Sequence, residues 1–101
     1  MHKYPLGLIF LSFEGESQIE APFRVAFSVP KKNFKKAVQR NLLKRRMREA
    51  FRIHQSLLPT KDEKSVPLYH HLMFIYQSKD IEPYQRIEQA AVKLLYKMQS
   101  D

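Results

Sequence analysis

The chain has 101 residues, 44% of them hydrophobic, with no cysteine and a formal net charge of +8. This length supports one domain around one core, since folding at this size buries roughly two-thirds of the surface that the unfolded chain exposes. The missing cysteine excludes disulfides, thiolate metal sites and a cysteine nucleophile, and no apolar run approaches the roughly twenty residues that a bilayer crossing needs.

No small-residue cleavage site follows an apolar region near the N-terminus, so no secretory signal is expected and the expected location is the cytoplasm, away from membranes. Leu6 to Phe13 is rich in large apolar side chains and reads as a first strand, and Glu14 to Glu20, with Gly15 and Ser17, as a connecting loop. Phe23, Val25, Phe27 and Val29 then alternate with Arg24, Ala26 and Ser28. Successive strand side chains point to opposite faces, so this second strand has one core face and one small, polar face. The polar face is either an ordinary solvated surface or room for something to lie against the sheet.

Pro30 ends the strand, and Asn33 is placed to cap a helix running to about Leu57, because Leu58 precedes Pro59 and is pushed out of helical geometry. The polar, proline-bounded stretch from Pro59 to Pro67 is expected to be loop. Leu68 to Tyr76 forms a third strand. Asp80 is the expected cap of a last helix, with Pro83 in its first turn and Ile87, Ala90, Ala91, Leu94, Leu95 and Met98 as its buried stripe. The order strand, strand, helix, strand, helix predicts an α+β fold with both helices on one face of a small sheet and the other face open.

Charge is concentrated in one place. Ten of the 18 basic residues lie between Lys31 and Arg52, with Glu49 the only acid among them, so this segment carries nine positive charges and the rest of the chain nets minus one. A concentrated field of one sign is the footprint of a surface that meets phosphate. On the expected helix Arg40, Lys44, Arg48 and Arg52 follow one another at i+4, with Asn41 and Arg45 beside them, while Leu43, Met47, Ala50, Phe51 and His54 fill a different, apolar arc. Like charges at this spacing repel by a few tenths of a kcal/mol per pair, so stability alone does not select the stripe over a face of mixed sign. Arginine can grip phosphate with a planar fork, and Lys31, Lys32, Lys35 and Lys36 cluster just ahead of the helix, where backbone amides also favour anions. Arg46 fits neither arc: it either snorkels to solvent or marks a weaker apolar arc between Leu42 and Ile53 as exposed.

No pair of carboxylates and no metal cage converges at helical or strand spacing, so no catalytic residue and no metal ligand is assigned. His70 and His71 are adjacent on a strand and point to opposite faces, and His54 falls on an apolar arc; all three read as structural. A helix-turn-helix is disfavoured because a strand, with no partner helix, directly precedes the basic helix.

Lys31-Lys32 after a strand, Ala37-Val38, Arg40-Asn41, Lys44-Arg45 and the close Arg48-Glu49-Ala50-Phe51, in this order and spacing, resemble the signature of the bacterial ribonuclease P protein component. The resemblance implies a two-layer α-β sandwich of the ribosomal protein S5 domain 2-like kind, with a left-handed βαβ crossover between parallel strands. It implies a small basic subunit of an endoribonuclease, the ribonucleoprotein that removes the 5′ leader from precursor tRNA. The RNA is the catalyst there and uses Mg2+; no cofactor is assigned to the protein, and no small-molecule substrate is expected. The partners implied are ribonuclease P RNA and precursor tRNA. Carried onto this chain, the RNA-binding residues are Lys31, Lys32, Lys36, Arg40, Asn41, Lys44, Arg45, Arg48 and Arg52. The leader cleft falls on Leu8, Phe10, Ala26 and Ser28, with a core role for Phe10 as the alternative; aromatic stacking on bases is tolerant of sequence, as a leader surface requires. Family members begin with a basic segment and a helix bearing cleft-lining phenylalanines. Residues 1–101 are therefore expected to be a single RNA-binding domain lacking that front end, and Leu42 stands where the family often has a basic residue. The rival reading is a ribosomal or other structured-RNA-binding protein of the same fold without a processing role.

Overall fold

In chain order the elements are β1 (His2–Lys3), β2 (Leu6–Ser12), β3 (Arg24–Ser28), α1 (Ala37–His54), a 3-10 turn (Gln55–Leu57), β4 (Thr60–Lys61), β5 (Val66–Pro67), β6 (Tyr69–Tyr76) and α2 (Tyr84–Ser100). They are taken from a computed structural model that describes residues 1–12, 24–57, 60–61, 66–67 and 69–100. Phe13, Phe23, Leu68, the expected loop at 14–20 and the side chain of His70 lie outside the described residues.

The main sheet has the order β1-β2-β6-β3. β6 pairs with β2 antiparallel and with β3 parallel. Parallel neighbours cannot be joined by a tight turn, and α1 lies in the crossover between β3 and β6. Pairing register decides which side chains share a face. Leu8, Phe74 and Phe27 form one row, and Phe10, Leu72 and Val25 the next. Leu8, Leu72 and Phe74 are buried, and Phe10, Val25 and Phe27 pack against the same core. The row between them, Ile9, Met73 and Ala26, points the other way and is exposed.

The helices supply the rest of the core. Leu43, Met47, Ala50 and Phe51 are the buried face of α1, and Ile87, Ala90, Ala91, Leu94, Leu95 and Met98 that of α2, as the apolar spacing predicts. Phe27 stacks on Phe74 at 5.8 Å, and the Phe51 ring meets both, at 6.2 and 5.8 Å. Such pairs contribute about 0.5–1.5 kcal/mol each beyond the area they bury. The result is the two-layer α-β sandwich that the resemblance implies.

Three boundaries differ from expectation. α1 starts at Ala37, with Lys36 as N-cap and no side-chain capping bond, and not at Asn33. Phe34 explains the delay: it is buried edge-on against Tyr76 at 5.7 Å, so the chain makes a turn, closed by the Asn33 amide donating to the Pro30 carbonyl at 3.3 Å, before the helix can begin. Asp80 does not cap α2. Its amide donates to Ser78 Oγ at 3.0 Å and its carbonyl accepts from the Tyr76 hydroxyl at 2.5 Å, while the Arg86 and Ile87 amides bond the Pro83 carbonyl and start α2 at Tyr84. The segment expected to be loop contains the β4-β5 ladder, Thr60 opposite Pro67 and Lys61 opposite Val66. Thr60 and Val66 are β-branched, and proline is tolerated where a two-stranded ladder has an outer edge.

Candidate nucleic-acid interface

α1 is 18 residues rich in Ala, Leu, Met, Gln, Arg and Lys, all strong helix formers. At about 100° per residue, the direction opposite the buried arc belongs to Arg45, flanked by Val38, Asn41, Arg48 and Arg52. All five are exposed, Val38 to 79%. The outward stripe is thus rotated from the Arg40-Lys44-Arg48-Arg52 line read from spacing. Arg40 projects between Met47 and Phe51, toward the core side, and both it and Lys44 are half-buried.

The cations divide by what holds them. Arg40 donates from Nη1 to the Phe34 carbonyl at 2.7 Å and to the Lys35 carbonyl at 2.8 Å. Arg52 pairs with Glu49 through Nη2 and Oε1. That bond holds the Glu49 carboxyl below the ordinary carboxylate range, with the nearby guanidinium charge adding to the effect. Arg46 donates from Nη1 to the Glu82 carbonyl at 2.6 Å, so it clasps α1 to the turn ahead of α2 and does not snorkel, while the arc in which it falls is half-buried at Leu42 and exposed at Ile53. The Arg48 guanidinium carbon lies over the Phe27 ring at 5.9 Å from its centroid, a cation–π contact that orients the head of an otherwise exposed side chain. Among the described residues, Lys44, Arg45 and Arg48 have no carboxylate partner. Lys31, Lys32, Lys35 and Lys36 are exposed ahead of a helix whose first turn holds no acid. Cations at a helix N-terminus oppose the macrodipole, so this end is set up for an external anion to stabilise.

On the uncovered side of the sheet a shallow depression of about 690 Å³ follows the Ile9-Met73-Ala26 row, with Arg24 and His71 at one end and Phe10, Val25 and Leu72 also in its lining. Of the residues expected in a leader cleft, Ala26 and Ser28 lie on this side. Leu8 does not: at 2% exposure it is core, because its row carries Phe74 and Phe27 toward the helices. Phe10 is split, packed against the core and also lining the depression. Ile9, 56% exposed, and Met73, 40% exposed, are the apolar side chains that the sequence did not single out. The sequence signal for Met73 was the weak alternation of Leu72, Phe74 and Tyr76 with His71, Met73 and Ile75, and β2 carries none for Ile9.

Among the described residues no three His, Asp or Glu side chains gather to hold a metal ion, and no helix is long and apolar enough to cross a membrane. His54 Nε2 lies 2.9 Å from Glu88 Oε2, joining the two helices.

Fold and surface together define a small α-β sandwich that displays a cationic helix and leaves one sheet face uncovered. A family model described as Ribonuclease P matches residues 3–99, and the chain belongs to that family. A ribonuclease P protein component of Porphyromonas gingivalis (strain ATCC 33277) is 31% identical over 96 residues, covering 94% of this chain and 67% of the relative. Those of Sodalis glossinidius (strain morsitans) and Vibrio cholerae serotype O1 (strain O395) are each 54% identical over 39 residues, 39% of this chain. The matched stretch spans 33% of the length of these last two relatives. No solved structure matches the chain with significance.

Proposed function

We propose that this chain acts as the protein subunit of a ribonuclease P ribonucleoprotein in the cytoplasm. The outward face of α1 and the lysines before it dock on the catalytic RNA, and the uncovered sheet face receives the single-stranded 5′ leader of precursor tRNA. The asymmetry of α1 carries this reading: its outward face holds Arg45 and Arg48 with no acid partner among the described residues, and four exposed lysines precede a helix start whose first turn holds no acid. The exposed apolar row Ile9-Met73-Ala26 beside Arg24 offers an apolar contact surface and a phosphate partner to a flexible strand, which needs contact without base identity. In this reading the phosphodiester hydrolysis is the RNA's, with Mg2+ neutralising charge and orienting oxygens there. The protein contributes affinity and placement.

Depletion of the protein in its host, followed by end-mapping of tRNA transcripts, tests the assignment. Accumulated 5′-extended precursors are expected, together with faster cleavage by the cognate RNA at low magnesium when purified protein is added. Normal 5′ ends and no stimulation would return the chain to the broader class of structured-RNA-binding proteins.

A further inference from the structure

Arg40 is a cation in the middle of a cationic segment, yet its guanidinium turns back on its own chain. Both Nη1 hydrogens go to successive backbone carbonyls, Phe34 at 2.7 Å and Lys35 at 2.8 Å. One carbonyl belongs to a residue locked into the core by the Tyr76 ring. The other belongs to an exposed lysine, next to the exposed Lys36 that occupies the N-cap without a side-chain bond of its own. The bridge occupies carbonyls and leaves the first amides of α1 free, and it ties the corner that bears Lys35 and Lys36 to a fixed point.

We propose that Arg40 is a positioning residue: it sets the Lys35-Lys36 corner so that these two ammonium groups and the first free amides of α1 meet RNA phosphate together. This rests on the docking role proposed for α1. Arginine suits the task because the two hydrogens of one nitrogen diverge in a fixed plane toward two neighbouring carbonyls, whereas a lysine ammonium keeps the charge and loses that plane.

The test is association of the protein with its cognate ribonuclease P RNA over a salt series, for Arg40→Ala, Arg40→Lys, Lys36→Ala and the double variant Arg40→Ala with Lys36→Ala. Arg45→Ala serves as reference, and all are measured where circular dichroism shows the helices intact. Arg45→Ala is expected to lower the salt slope by about one. Arg40→Ala should lower it by about two or more, because contacts at the corner weaken together, and Arg40→Lys should do the same despite keeping its charge. Lys36→Ala should weaken binding several-fold in the native background and scarcely at all on top of Arg40→Ala. A slope change of about one that Arg40→Lys restores, or full additivity with Lys36→Ala, would identify a direct phosphate contact and overturn the proposal. Unchanged binding in Arg40→Ala with a normal loss in Arg45→Ala would reduce Arg40 to a fold element and overturn it too. If Arg45→Ala and Lys36→Ala are also without effect, the docking role of α1 itself fails and takes this proposal with it.

Discussion

Arg46 on α1 and Glu82 ahead of α2 are joined by a 2.6 Å hydrogen bond from Nη1 to the backbone carbonyl. Glu82 is a meeting point: its amide donates to the Tyr76 hydroxyl at 2.8 Å and its carboxylate pairs with Arg86 at 3.3 Å. The basic helix is thereby clasped to the end of the central strand and the start of the last helix.

Arg46→Met should lower stability by about 1–2 kcal/mol, the usual effect of removing a charged donor from a part-buried carbonyl. Its salt slope with RNA should match that of the native protein, unlike those of Arg45→Ala and Arg48→Ala. Denaturant unfolding and RNA titration on the same samples check both halves.

Tyr76 is fully buried as a residue, and its hydroxyl donates to the Asp80 carbonyl while accepting from the Glu82 amide. Tyr76→Phe leaves both backbone groups unpaired and should cost about 1–3 kcal/mol at neutral pH. Burial, more than any other cause, pushes this phenol above its ordinary value. A raised value favours the neutral form in the folded state, so the contribution is present below the unfolded value of about 10 and fades as pH rises through the higher folded one. Unfolding midpoints across that alkaline range should fall more steeply for the native protein than for Tyr76→Phe.

Leu8 and Ile9 are neighbours with opposite fates. Leu8→Ala should cost about 2–5 kcal/mol as a core truncation. Ile9→Ala should stay within about 1 kcal/mol, yet weaken binding of precursor tRNA that carries a leader more than binding of mature tRNA, an effect that Met73→Ala should share. Equal losses for both tRNAs would remove the sheet face from leader contact.

Glu49 holds Arg52 out of play on the outward face of α1. Glu49→Gln should free that guanidinium and steepen the salt dependence of RNA association by about one unit, while changing stability little, since fully exposed pairs contribute little. A flat response would mean that Arg52 lies beyond the RNA footprint.

What the sequence by itself determined were features set by local periodicity and charge. The alternation from Val25 to Val29, the α2 stripe and the buried arc of α1 all lie where the spacing puts them, because a period of two or of about 3.6 leaves one face to bury. The signature residues between Lys31 and Phe51 were enough to suggest the family. Tertiary structure decided the rest. β2 is an almost unbroken apolar run, so nothing in it says whether Leu8 or Ile9 faces the helices; pairing with Phe74 and Met73 of β6 settles that, and a one-residue slip would exchange the two faces. The start of α1 moved to Ala37 because Phe34 is drawn into the core, and Asp80 lost its capping role to a turn built on Tyr76 and Ser78. Arg40, Arg46 and Arg52 count equally in the charge of the chain, but only packing reveals that one ties a corner, one clasps α1 to the turn ahead of α2 and one is neutralised. A sum of charges is additive along the chain, whereas the partner of each guanidinium depends on which carbonyls and carboxylates the fold brings within reach.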